Sequence, residues 1–216
     1  MVTRIHQMPF GAALGDSGGV RFRLWAPSAR SVALRLENPG RERELPMRGK
    51  AGGWFGTEVA DAGPGLQYRF RIDGDLLVAD PASRFQPESV DGPSEVIDPR
   101  AFEWSDGEWS GRAWEEVVLY ELHVGAFTES GDFDGVARHL DHLVDLGVTA
   151  VELMPVAECP GDFNWGYDGV HPFAPERCYG RPEDLKALVD AAHARGLMML
   201  LDVVYNHFGP QGNHLP

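Results

Sequence analysis

Cysteine is nearly missing from this chain: its 216 residues include only Cys159 and Cys178. Two thiols without a second pair exclude a disulfide-stapled scaffold and make a poor structural zinc site. The chain does not open on a basic segment, an apolar stretch and a cleavage site. Free thiols in a reducing cytoplasm are therefore expected. No apolar run approaches the about 20 residues that a membrane span needs, so no membrane partner is expected. Positive charge is scarce too. Nineteen Lys+Arg stand against 33 Asp+Glu, a net charge of −14. Nucleic acid and acidic membrane surfaces repel such a chain, whereas a neutral ligand does not. No strand is followed by GxGxxG, and no GxxxxGK[ST] or GxSxG occurs. No HExxH, HxH or paired-carboxylate pattern commits the chain to a metal, and no cofactor is expected.

What is present is ordinary for a globular protein, with 43% hydrophobic and 24% charged residues. The length suits one large domain or two smaller ones. Residues 1 to about 110 read as β-structure with a connection. Val20–Trp25 and Val32–Leu36 alternate apolar and polar residues, and Tyr68, Phe70 and Ile72 sit two apart. Asp73-Gly74-Asp75 reads as a tight turn into Leu76–Val78. Short strands at close spacing point to a small antiparallel sandwich. Residues 79–112 carry Pro81, Pro87, Pro93 and Pro99, so few ladder hydrogen bonds are expected. Phe85, Val90, Ile97, Phe102, Trp104 and Trp109 are available to pack this connection.

From residue 111 onward the pattern changes. Val117–Val124 is a near-continuous apolar run, as in a buried parallel strand. Val136, Leu140, Leu143 and Val144 follow at helical spacing within Asp134–Leu146, and Gly147 supplies the stop. Val148–Met154 is a second strand. Pro182, Glu183 and Asp184 open a second helix, which buries Leu185, Leu188, Val189 and Ala192 and ends at Gly196. Leu197–Val204 is a third strand. Strand, helix, strand, helix, strand implies a parallel sheet, either a (β/α)8 barrel or an open doubly wound sheet.

Both architectures place their site after the C-terminal ends of the strands. The Pro155–Arg181 connection is long for a βα loop, and such loops are often functional. Within it, Asn164-Trp165-Gly166-Tyr167-Asp168-Gly169 sets two aromatic rings beside polar groups. Sugars offer apolar C–H faces and polar edges, which suit such a platform. The bland alternative is that Trp165 and Tyr167 only pin the loop. Asp202 ends the third strand, where it needs hydrogen-bond partners. Asn206 and His207 lie just beyond. His207 can donate to a sugar hydroxyl, or serve as a structural histidine bonded to backbone. Glu121, His123 and Glu152 read as structural groups of a packed interior. His139, His142 and His193 lie on the helices as solvated or partly buried side chains.

Asp202-Val203-Val204-Tyr205-Asn206-His207 resembles the first short conserved region of the α-amylase family, glycoside hydrolase family 13. Asn164–Asp168 resembles that family's loop after strand two, and Phe173-Ala174-Pro175 and Tyr179-Gly180 continue the likeness. Within the family the pattern is similar to the maltooligosyltrehalose trehalohydrolase branch, through Asp80–Pro87, Gly92–Ser94, Tyr120–Gly125 and Phe208–Asn213. Glycogen branching and debranching enzymes share the layout and are the alternative. His214 stands where that branch suggests tyrosine.

The resemblance implies an N-terminal antiparallel β-sandwich of carbohydrate-binding type over residues 1–110. It implies the first strands and helices of a (β/α)8 barrel over residues 111–216. It implies hydrolysis, with retention, of the α-1,4 bond next to trehalose in maltooligosyltrehalose or a related α-1,4-glucan. Tyr167 would stack on the sugar, with Trp165 beside it, and His207 would hydrogen-bond it. Asp202, Asn206 and Asp168 would hold the local geometry. Some relatives bind calcium at the position of Asn206, and calcium is not expected here. A full barrel takes about 250 residues. The family's nucleophile and acid/base come from later strands, so they are expected beyond Pro216, and this chain alone is expected to be inactive. A non-catalytic glucan-binding module is the rival reading.

Overall fold

The computed structural model describes residues 8–16, 18–38, 40 and 42–214. The outermost residues of both expected domains lie outside them. The N-terminal half builds two antiparallel sheets. One orders its strands β1 (Gly11–Leu14), β2 (Val20–Trp25), β6 (Trp54–Val59) and β5 (Arg48–Lys50). The other orders β4 (Arg43–Pro46), β3 (Val32–Leu36), β7 (Gln67–Ile72) and β8 (Leu76–Val78), with β9 (Ser94–Glu95) also paired to β7. The two-residue period decides which side chains enter the core. Val20, Phe22 and Leu24 point in from β2, while Arg21 and Trp25 face out. Val32, Leu34 and Leu36 of β3 and Tyr68 and Phe70 of β7 complete the same cluster. Asp73 and Gly74 take positive φ, 51° and 89°, which closes the β7–β8 hairpin.

Residues 79–112 form an ordered seam. Phe85, Val90, Ile97 and Trp104 are buried. The buried Asp80 carboxylate accepts from the Tyr68 hydroxyl at 2.7 Å and from the Ala82 amide at 2.8 Å. Further along, Ser105 donates to Asp190, His193 pairs with Asp106 at 2.7 Å, and Arg112 donates to the Gly196 carbonyl.

The C-terminal half carries a three-stranded parallel sheet, β10 (Leu119–Leu122), β11 (Ala150–Leu153) and β14 (Met198–Leu201). Between β10 and β11 lie α1 (Val124–Phe127), α2 (Phe133–Arg138) and α3 (Leu140–Asp145). Between β11 and β14 lie the ribbon β12 (Ala157–Glu158) and β13 (His171–Pro175), then α4 (Pro182–Ala194). Phe133, Val136, Leu140, Leu143, Leu188 and Ala192 pack on β11 in a second core.

Three expectations need correction. The strand expected over Val117–Val124 is confined to Leu119–Leu122, and Leu119 and Tyr120 are exposed rather than buried. It is an edge strand that no described strand flanks on its outer side. The single helix expected over Asp134–Leu146 breaks at His139, whose φ, ψ are −105°, 5°. His139 Nδ1 bonds the Gly135 carbonyl at 2.8 Å, and its amide turns to the Val136 carbonyl, a tighter 3-residue step. That rotation leaves Val144 exposed instead of in the core. The third strand stops at Leu201, although the Asp202 amide still donates to Leu153 O at 2.9 Å.

Candidate functional site

The site forms where the segments after β11 and β14 meet. The segment after β11 is not irregular throughout. β12 and β13 pair as an antiparallel ribbon, with 159–170 as its tip. Asn164 shapes that tip. Its Oδ1 accepts from the Gly166 amide at 2.8 Å, and its carbonyl receives His123 Nε2 at 2.7 Å. His123, at the end of β10, thus braces the tip. Gly166 has φ +84°, and a Cβ there would overlap the Pro155 carbonyl. Those bonds turn Trp165 and Tyr167 outward, 74% and 42% exposed.

From the other side come the residues after β14. Asp202 is half-buried next to Tyr167. Partial desolvation first, then the charges of Asp202 and Glu121, push the Tyr167 phenol upward in pKa. His207 Nε2 reaches the Tyr167 carbonyl at 2.8 Å, and its Nδ1 pairs with Asn206 Nδ2 at 2.8 Å. Both ring nitrogens are therefore engaged by protein groups. The chain closes down beyond them. The Gly209 amide donates to Gly169 O at 3.2 Å, and a Cβ at Gly209 would overlap Asp168 O. The structure thus brings together Tyr167, Asp202, Asn206 and His207. Asp168 contributes its backbone, and Trp165 stands at the outer rim.

Sequence reasoning passed over what lies beneath. Glu158 and Glu176 are fully buried, and Arg177 ion-pairs with both, at 2.9 and 3.4 Å. Burial, then the charge of Glu176, lifts Glu158 to about 7. Cys159 and Cys178 are unpaired thiols in this region, each pushed up to about 12, chiefly by burial. Among the described residues no group of three His, Cys, Asp or Glu side chains is arranged to hold a metal ion.

Residues 96–214 match the family model for the α-amylase catalytic domain. The chain belongs to the α-amylase family. Ahead of that match, residues 9–84 fit carbohydrate-binding module 48, the isoamylase N-terminal domain. The parallel sheet is therefore the opening part of a family barrel rather than of a doubly wound sheet, and the sandwich is a module of carbohydrate-binding type. The chain is 48% identical over 202 residues to the malto-oligosyltrehalose trehalohydrolase of Deinococcus radiodurans, covering 94% of this chain and 33% of that protein. The Saccharolobus solfataricus enzyme of the same name is 46% identical over 208 residues, 96% of this chain and 36% of that one. A crystal structure of a protein provisionally called an α-amylase, from Salmonella typhimurium, superposes with a TM-score of 0.92 at 46% identity, covering 98% of this chain and 35% of that one. This α-amylase-family chain thus spans about a third of the length of these relatives. No helix among its described residues is long and apolar enough to cross a membrane.

Proposed function

We propose that these residues are the sandwich and opening barrel segment of a retaining hydrolase. It cleaves the α-1,4 bond beside the trehalose unit of maltooligosyltrehalose. The observation that carries this reading is the 48% identity to a trehalohydrolase over nearly the whole chain. The exposed rings of Trp165 and Tyr167 support it, because a sugar's C–H face stacks on such rings. We divide the chain near residue 110, in keeping with one core drawn from Ala12 to Val96 and another from Leu122 to Leu197. The unpaired cysteines suit a reducing, cytoplasmic setting, and the charge of −14 suits a neutral glucan better than nucleic acid.

In this reading Tyr167 stacks on the sugar and Trp165 extends the platform. Asp202, Asn206 and Asp168 hold the geometry. His207 braces Tyr167 through its carbonyl and exchanges that bond for a sugar hydroxyl when glucan enters. The catalytic carboxylates belong to later barrel strands. Purified 216-residue chain is therefore expected to bind maltoheptaose in a calorimetric titration and to release no trehalose from maltooligosyltrehalose. Trehalose release at an enzyme-like rate would show that the catalytic groups lie within these residues. In a longer protein containing them, new branch points in place of trehalose would assign a branching activity instead.

Two substitutions check the assigned roles. Trp165→Ala should weaken maltoheptaose binding about tenfold, near 1.4 kcal/mol, the upper part of what a stacked ring contributes. His207→Ala should cost about 1–3 kcal/mol of binding if its bond to the sugar is real. Unchanged affinity would leave His207 as a group bonded only to backbone. One observation favours the module reading: the match to a carbohydrate-binding module over residues 9–84. If Trp165→Ala leaves affinity intact, the sandwich carries the binding.

A further inference from the structure

Glu176 is surrounded by donors. Its carboxylate oxygens accept from the Cys159 amide at 3.0 Å, Asn164 Nδ2 at 3.1 Å, the Cys178 amide at 3.2 Å and Arg177 Nη1 at 3.4 Å. Two of these donors fall on each oxygen, and the side chain is fully buried. A carboxylate satisfies all four. An amide of the same size must turn its NH2 toward two N–H groups and lose them. Beside it, Glu158 accepts the Arg177 amide at 2.8 Å and Arg177 Nη1 at 2.9 Å.

Among the four donors, Asn164 leads outward. Its Nδ2 is committed to Glu176, its Oδ1 to the Gly166 amide, and its carbonyl to His123. Trp165 and Tyr167 flank Gly166, so the orientation of Asn164 determines how both rings leave the loop. We infer that Glu176 is a positioning residue: through Asn164 it locks the 164–168 loop in the shape that presents Trp165 and Tyr167 to a glucan chain. The inference rests on the sugar-binding reading of that loop for its function, but not for its structure. Glu176 acts on the rings through Asn164.

The test separates the two. In the full 216-residue chain, the Trp165 contribution to fluorescence is the difference between a protein and its Trp165→Phe counterpart. Acrylamide quenching of that contribution is read in wild type, Glu176→Ala and Asn164→Ala. Asn164→Ala removes the link while keeping Glu176, Glu158 and Arg177 in place, at the loss of one of the four donors to Glu176, so it serves if Glu176→Ala does not fold. Both variants should shift the quenching constant in the same direction. Maltoheptaose affinity should fall about tenfold in each, the size of one hydrogen-bonded link. The double variant should lose no more than either single one, because both break one chain of contacts. Quenching unchanged in Asn164→Ala, or additive losses in the double variant, overturns the inference. If wild type binds no maltoheptaose while quenching still shifts in both variants, the positioning role stands and the sugar reading fails.

Discussion

Arg177→Met should cost about 3–5 kcal/mol at pH 8, the usual loss when a buried ion pair is broken from one side. Among the described residues Arg177 is the one guanidinium paired with the two fully buried carboxylates Glu158 and Glu176, and its Nη2 also reaches Asp162 at 2.5 Å. Methionine fills a similar volume but leaves both acids without their counter-charge. The loss should shrink at pH 5.5. Glu158 is raised from 4.5 to about 7, by burial first and by Glu176 second, so it takes up a proton across this range. A raised carboxylate favours the folded state below its unfolded value. That contribution is lost as pH rises through about 7. Across the window from 4.5 to 7 it amounts to about 3 kcal/mol at most. Asp73, Asp98, Asp132 and Asp141 are all lowered and act in the opposite sense at more acidic pH. Urea unfolding at the two pH values measures the difference. Equal losses at both would show that Glu158 does not titrate in the folded protein.

Gly166→Ala should abolish measurable maltoheptaose binding while leaving the sandwich folded. The positive φ of Gly166 costs an L-residue about 1–2 kcal/mol. The added Cβ also meets the Pro155 carbonyl, which is backbone and cannot rotate away. The tip must then open, and Trp165 and Tyr167 lose their common presentation. Titration with maltoheptaose, together with near-ultraviolet circular dichroism, reads both consequences. Wild-type affinity in this variant would mean that the loop does not bind the sugar.

Some of this was legible in the residues themselves. Val20–Trp25, Val32–Leu36 and the turn at Asp73-Gly74 follow from period-two patterning and from backbone that must reach positive φ. α4 announces itself through Pro182 and Gly196, and the Arg181 amide bonded to Asp184 Oδ2 closes its first turn. Other elements carry no such pattern. β4 and β5 are mostly exposed and rich in charge, so nothing alternates in them. The break at His139 depends on a side chain choosing a carbonyl, which helical spacing does not encode. At the site, Asn164, Tyr167, Asp202 and His207 stand in recognisable motifs, whereas Glu158 and Glu176 do not. Ribbon pairing of β12 with β13, not any local pattern, brings those two together.

The seam of residues 79–112 has a consequence for how the molecule meets proteases. A stretch with four prolines and scarcely any strand would normally be the place where an extended chain is cut. Here His171 Nε2 binds Val90 O at 2.9 Å, Arg181 pairs with Glu95 and lies over the Phe85 ring, and Ser105, Asp106 and Arg112 grip α4 and the residues just after it. Only short exposed stretches such as 107–111 are left between these anchors, so entry into a protease cleft requires at least one anchor to let go.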